Sequence, residues 1–268
     1  MTLRVAVGGF GAIGKAVAER LDRGIEGLAL AAVSARDQAR AETAMAGFAR
    51  PAPVVPLANL WEHADLIVEC APAALLHGLA EPALVHGRQV MVLSCGALLD
   101  NFGLVELARR HGGRILVPSG ALLGLDAVAA AAEGKISSVH MITRKPPQGL
   151  AGAPYLEENA ISVAGLSEPK QVFAGSAREA ARGFPANVNV AAALALAGIG
   201  PDRTTIEIWA DPMVTRNIHR IEVEADAARF SLQIENVPSA ENPRPGRLTA
   251  LSVIAALKKL TSPLAVGT

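Results

Sequence analysis

The chain has 268 residues, 51% hydrophobic and 19% charged, with 25 Lys+Arg against 25 Asp+Glu. So much apolar content excludes a disordered chain. Balanced charge without a basic run, and only 3% aromatics, argue against nucleic acid, which needs clustered cations and stacking platforms. No window approaches the ~20 uncharged apolar residues of a membrane helix, so no membrane partner is expected. The N-terminal Met1-Thr-Leu-Arg-Val-Ala-Val runs straight into Gly8-Gly9, without a signal-peptide pattern. Cys70 and Cys95 form neither a disulfide framework nor a zinc spacing. The expectation is a soluble cytoplasmic α/β protein.

Residues 3–7 read as a short buried strand, followed by a helix with Ile13, Val17 and Leu21 at spacing four. Leu28 to Val33 is a second apolar strand and Arg36 to Phe48 has helical composition. Pro51, Pro53 and Pro56 frame a short strand at Val54-Val55. Strands follow at Asp65 to Cys70, Val90 to Ser94 and Arg114 to Val117. Helices are expected between them, at Leu75 to His86 and Asn101 to His111. Short, uniformly apolar strands alternating with helices indicate a parallel sheet covered on both faces.

The rhythm changes near residue 120. Leu122 to Glu133 reads as a helix, Val139 to Thr143 as a strand and Arg144 to Pro154 as a Pro- and Gly-rich loop. Val188 to Leu196 is helical, and Thr204 to Ala210, Ile218 to Ala225 and Arg229 to Glu235 are strands. Gly246 to Leu260 is a helix with Leu248, Leu251, Ile254 and Leu257 in period. The expected fold is α/β: a doubly wound parallel sheet over 1–120, with 245–268 returning to it, and a second, more antiparallel α+β domain over 121–244.

Gly9-Phe10-Gly11-Ala12-Ile13-Gly14 is a G-x-G-x-x-G between the first strand and the first helix. There the glycines permit a tight turn, close approach of a pyrophosphate and close helix–strand packing, and the helix start offers N–H donors. Gly9, Gly11, Ala12, Ile13 and Gly14 are therefore candidate cofactor contacts. The carboxylate that would bind the ribose 2′-OH of NAD is missing from the end of the second strand. Ser34 and Arg36 stand there instead and suit the 2′-phosphate of NADP, although Arg36 also reads as a solvated helix-start residue.

Cys70 and Cys95 lie at strand ends and read as small buried hydrophobes; no base is evident to make either a nucleophile. The six histidines show no metal-ligand spacing, so no metal is expected. His219 differs from the rest by leading from the polar run Asp211 to Asn217 into an apolar strand. Asn187 and Asn189 frame the start of an Ala-rich helix, where Asn serves as a cap or binds an amide or ribose.

Five runs occur in order: Gly9 to Gly14, Pro118-Ser-Gly-Ala121, Thr143-Arg-Lys-Pro146, Phe184-Pro-Ala-Asn-Val-Asn-Val-Ala191, and Asp211-Pro to Asn217-Ile-His219. Together they resemble the L-aspartate dehydrogenase family, over about residues 4–260. The resemblance implies oxidation of L-aspartate by NAD or NADP to iminoaspartate, then hydrolysis to oxaloacetate and ammonia, with a link to NAD biosynthesis. It implies a Rossmann dinucleotide-binding domain at 1–120 with 245–268, and a substrate-binding, catalytic and dimerisation domain at 121–244. It also implies His219 as the active-site histidine, cofactor contacts at the Ala121 backbone amide and at Asn189, and a homodimer. An imidazole suits proton transfer near neutrality. The two substrate carboxylates need cations or amide donors, for which Arg144, Lys145, Arg216 and Asn217 are the candidates.

Two other classes share the Gly-rich loop. One is another two-domain oxidoreductase, a homoserine dehydrogenase or a dihydrodipicolinate-reductase-like enzyme. The other is a non-catalytic NAD(P)-binding sensor. A screen of aspartate, homoserine and dihydrodipicolinate with each cofactor separates them. The Arg36 reading makes its own prediction. Arg36→Ala is expected to raise the KM for NADP roughly tenfold or more, the worth of a charge-assisted hydrogen bond, while leaving that for NAD nearly unchanged. An unchanged KM for NADP contradicts it.

Overall fold

The computed structural model describes residues 2–185, 188–237 and 247–267. Asn187, Gly246 and the expected domain boundary at 244/245 lie outside the described residues. The chain forms two compact units, Met1–Pro118 with Ala250–Ala265, and Ser119–Thr249 with Val266–Thr268.

The first unit is built on strands β1 (Leu3–Gly8), β2 (Leu28–Ser34), β3 (Leu66–Glu69), β4 (Gln89–Val92) and β5 (Arg114–Leu116). They form one sheet in the order β2-β1-β3-β4-β5, and every pairing is parallel. The sixth strand expected at Val54-Val55 is reduced to a single parallel bridge, Val33 to Val54. Val33 N donates to Pro53 O at 3.0 Å and Val55 N to Val33 O at 2.9 Å. Pro53 and Pro56 have no N–H to extend the ladder, so the strand stops there. Counting that remnant outside β2 restores the six-position order of a dinucleotide fold, with the reversal between β1 and β3.

The C-terminal helix Arg247–Thr261 completes this core. Val253 and Leu257 are fully buried in one cluster with Val5, Val17, Leu21 and Leu28. Thr261 Oγ1 donates to Glu26 O at 2.7 Å. The buried stripe is Val253, Ile254, Leu257 and Leu260, whereas Leu251, expected on it, is exposed. The helix is therefore rotated from the expected phase.

The second unit holds β6 (Ile136–Lys145), β7 (Lys170–Ser176), β8 (Thr204–Ala210), β9 (Asn217–Ala225) and β10 (Arg229–Asn236). Their order is β10-β9-β6-β8-β7; β6 and β8 run parallel and the other neighbours antiparallel. Alternation divides the residues of β6. Val139, Met141, Thr143 and Lys145 are buried, and His140, Ile142 and Arg144 are half-buried on the opposite face. Helices Leu125–Ala132, Ala177–Gly183 and Asn189–Ala197 pack in this unit and supply the apolar cover.

Two expectations fail here. The Arg144 to Pro154 loop starts later than read, because β6 continues through Lys145 and a single 3₁₀ turn follows at Pro147–Gly149. Strand β7 and the capped helix Ala177–Gly183 were not anticipated. Its Ser176-x-x-Glu179 capping box is nonetheless a legible start signal. Tyr155, Phe173 and Phe184 form an aromatic cluster, edge to face or tilted, with centroids 5.1 to 5.6 Å apart.

Candidate active site

The Gly9–Gly14 loop gives each glycine a separate reason. Gly9 has φ +107, and a Cβ there would lie 2.4 Å from Cys70 O. A Cβ on Gly14 would lie 1.9 Å from Gly9 O, so helix and strand can approach only without one. Gly11 differs: nothing among the described residues stands within 4 Å of its Cβ position. It caps the helix Ala12–Asp22 with extended backbone, no side-chain cap bond and no acidic residue in the first turn. The loop thus has closed space behind it and open space before a helix start with N–H groups to offer, which fits a pyrophosphate.

Ser34, at the end of β2, is buried, and its carbonyl accepts from Gly9 N at 2.9 Å. Arg36 is exposed in the bend that follows. The nearby carboxylate, Asp37, caps the next helix by accepting from Arg40 N at 3.0 Å. It is thereby committed to the backbone.

Glu69 was missed by the sequence reading. It ends β3 fully buried and accepts from Leu93 N (3.1 Å), Ser94 N (2.8 Å) and Ser94 Oγ (3.0 Å). Burial raises its pKa above the ordinary carboxyl range, against those hydrogen bonds. The carboxylate staples the turn after β4 to the end of β3, beside the strand-order reversal. Its signal in the sequence was an acid inside an apolar run. The two thiols are inert: burial, then the Glu69 charge, raises both, Cys95 to about 12.

In the second unit, the β6–β9 register sets Thr143 opposite His219 and Arg144 opposite Ile218. Lys145 is therefore level with Asn217, on the same face as Thr143 and His219. His219 is 3% exposed and Lys145 is 5% exposed. Thr143 Oγ1 and His219 Nδ1 are 3.1 Å apart. Burial, with Lys145's charge second, pushes the His219 pKa down to about 3. Burial alone pushes Lys145 down to about 8. An imidazole near its ordinary pKa was expected; in the free protein it is neutral, and Lys145 titrates nearest neutrality.

Arg144 does not join them. Its neighbour in register on β8 is Trp209, and its guanidinium lies 5.0 Å from that ring's centroid. Its Nη1 donates to Asp211 Oδ2 at 3.0 Å, on the opposite face of the sheet. Of the expected substrate cations, Arg144 thus lies on the face away from Lys145 and His219. The same alternation that buries Lys145 turns its neighbour away. Arg216 is exposed in the turn before β9, and Asn217 is half-buried at its start.

Ala121 sits in the turn from Ser119 to Leu122, closed by Leu122 N to Ser119 O at 3.1 Å, with Gly120 at φ +64. Its carbonyl accepts from Asn236 Nδ2 at 2.9 Å. Asn189 opens the helix Asn189–Ala197 from an exposed position. Thr143 and Asn236 were absent from the expected set. Thr143 was legible, because period-two alternation carried through Lys145 puts it on that residue's face. Asn236 had no local signal, since its contact is 115 residues distant.

The catalytic potential divides accordingly. One unit offers an anion cradle open to a dinucleotide, and the other a dry cation beside a neutral imidazole. Among the described residues, no cluster of His, Cys, Asp and Glu has metal-binding geometry, and no helix is long and apolar enough to cross a membrane. Gly11→Ala makes a clean test of the cradle. It is expected to leave thermal unfolding essentially unchanged, since its Cβ meets nothing, while weakening dinucleotide binding by calorimetry. Unaltered binding contradicts this assignment.

Comparison with known proteins gives concordant matches. Residues 126–260 match the family model described as aspartate dehydrogenase, C-terminal, and residues 9–118 that described as homoserine dehydrogenase, NAD binding domain. The chain is 59% identical over 266 residues to an L-aspartate dehydrogenase of Bradyrhizobium diazoefficiens, covering 99% of this chain and 94% of the relative. It is 58% identical to L-aspartate dehydrogenase 3 of Bordetella bronchiseptica, covering 99% and 98%. In fold it is similar to the crystal structure of aspartate dehydrogenase from Thermotoga maritima, with TM-score 0.75, 24% identity and 100% of both chains covered.

Proposed function

The chain belongs to the L-aspartate dehydrogenase family, and on that premise we propose how its own residues carry out NAD(P)-dependent oxidation of L-aspartate to iminoaspartate, which water converts to oxaloacetate and ammonia. The observation that carries the proposal is that Lys145 and His219 are both buried on one sheet face, where burial holds each toward its neutral form. Gly9, Gly11, Ala12, Ile13 and Gly14 would hold the pyrophosphate of the dinucleotide, which would supply the two-electron acceptor, and the Ala121 amide and Asn189 are the further contacts that the family resemblance implies. Ser34 and Arg36 extend that set toward the 2′-phosphate of NADP.

Lys145 is the cation for a substrate carboxylate, with Asn217, level with it on β9, as the neighbouring amide donor. In a water-poor site this pairing is strong, and the desolvated ammonium gains most from it. Arg216 remains an exposed candidate at the rim. Once substrate charge offsets Lys145, the coulombic share of His219's depression is relieved. His219 Nε2, the ring nitrogen turned from Thr143, then takes a proton from the substrate ammonium. For Nε2 to accept, Nδ1 must carry the hydrogen and donate it to Thr143 Oγ1, so Thr143 sets the tautomer. The same imidazole draws a proton from the water that adds to the imine carbon.

We also read the protein as a cytoplasmic homodimer. Two free cysteines suit a reducing compartment. The second face of the β6–β10 sheet, with half-buried Ile142, Trp209 and Ile218, suits an isologous contact.

The Lys145 assignment has a sharp pH signature. Its ammonium is complete below about pH 8 and is lost above it. Succinate has two carboxylates and no group titrating in that range. Its inhibition constant is expected to be flat up to about pH 8, then to rise about tenfold per unit. Lys145→Met should cost about 2–5 kcal/mol of succinate binding at neutral pH and abolish the pH dependence. A constant that stays flat to about pH 9.5 overturns the assignment.

A further inference from the structure

Three buried side-chain polar atoms lack a hydrogen-bond partner among the described residues: Arg88 Nε, Gln89 Oε1 and Asn236 Oδ1. The first two lie at the start of β4, where the Arg88 guanidinium meets Asp65, far along the strand from its carboxyl end. Asn236 stands on the face that holds His219 and Lys145. In the β9–β10 register it pairs with Asn217, and Ile234 pairs with His219. Asn236 is thus diagonal to His219 and in one row with Asn217 and Lys145, within reach of a molecule a few atoms long.

The orientation of its amide is fixed. Asn236 Nδ2 lies 2.9 Å from Ala121 O, and a carbonyl can only accept, so the nitrogen must occupy that position. The side-chain carbonyl is therefore aimed elsewhere, 4% exposed as a residue and unpaired. An unsatisfied buried acceptor is costly, and such atoms are rare in native proteins unless a ligand completes them. What completes this one must bring a hydrogen. A substrate carboxylate cannot, and would be repelled. The amino group can.

We propose that Asn236 Oδ1 is a direct substrate contact, accepting an N–H from the amino group of bound aspartate. This rests on the reading of Lys145 and His219 given above. The oxidation step gives the contact its leverage. The Cα hydrogen leaves with both electrons of its bond, as hydride, for which bound oxidised NAD(P) would be the acceptor. The nitrogen lone pair closes the C=N bond, and nitrogen becomes positively charged with both its hydrogens in place. An N–H on a positive nitrogen donates more strongly than an amine N–H. The bond to Asn236 Oδ1 therefore tightens as charge develops and favours the transition state over the ground state. His219 takes the one proton the ammonium sheds first, and Asn236 holds one that remains.

The test separates this contact from the bond to Ala121. Asn236→Ala removes both, whereas Asn236→Asp removes the donor to Ala121 but keeps an acceptor oxygen. Succinate fills the carboxylate positions and has no amino group. In Asn236→Ala, kcat/KM for aspartate is expected to fall about 10²–10³-fold, mostly in kcat, while the succinate inhibition constant stays within about threefold. Asn236→Asp is expected to recover at least about tenfold of that loss. The proposal is overturned if succinate binding weakens as much as aspartate turnover, or if Asn236→Asp is no better than Asn236→Ala. It is also overturned if the only change is weaker NADH binding, which would assign the acceptor to the cofactor. Failure of the Lys145 assignment shows separately, in the pH dependence of succinate inhibition of the unaltered protein.

Discussion

Desolvation of two basic groups on one sheet face is the constraint from which the chemistry follows. Lys145 and His219 come from adjacent strands, β6 and β9, and both point under the apolar cover of the second unit. Two basic side chains in such a place cannot both hold a proton cheaply, because each charge loses its water and repels the other. The burden falls unequally. Lys145, the intrinsically stronger base, settles near 8, and His219 is left neutral at about 3. A site with one labile positive charge and one neutral acceptor suits an anionic substrate. A substrate with two carboxylates would bring that charge and relieve the share of the His219 depression that Lys145 causes, burial being the larger cause. Thr143 Oγ1, which meets His219 Nδ1, is neutral and orients the ring without adding charge.

The first unit solves a different problem, the approach of backbone to a large anion. It does so with shape more than with charge. Gly9 and Gly14 are required by what lies behind them, Cys70 O and Gly9 O, and Gly11 by what must come in front. Bound into the same framework, Ser34 O holds Gly9 N, and the buried Glu69 carboxylate fixes the turn after β4. The formal net charge of zero fits this economy. Positive potential is placed locally, at a helix start, at Arg36 and at a buried lysine.

Much of this was legible in the sequence. The Gly-rich loop between a strand and a helix announces its role, because three glycines at that spacing have few other uses. His219 was singled out by its place between a polar run and an apolar strand, and the five ordered runs carried the family. What escaped was geometry set by pairing. Reading Arg144 and Lys145 as loop residues made them equivalent, whereas one more turn of strand alternation puts them on opposite faces. The Pro51–Pro56 segment keeps only one bridge because its prolines lack donors. The helix Arg247–Thr261 buries Val253 and exposes Leu251, since three residues in register with it cannot fix its phase. Asn236 and Glu69 matter through partners distant in the chain, which no local pattern encodes. The pKa of His219 belongs to the same class, because burial and a charged neighbour set it and residue type does not.

The folded protein holds His219 as a neutral imidazole beside a charged Lys145, which is checked by following the ring nitrogen chemical shifts of His219 in the free, nitrogen-15-labelled protein from about pH 5 to 9. Neutral-imidazole shifts are expected throughout, with no protonation midpoint in that window, and a change only when a dicarboxylate is added. A titration centred at about 6.5, the ordinary value for a solvated imidazole, would contradict it.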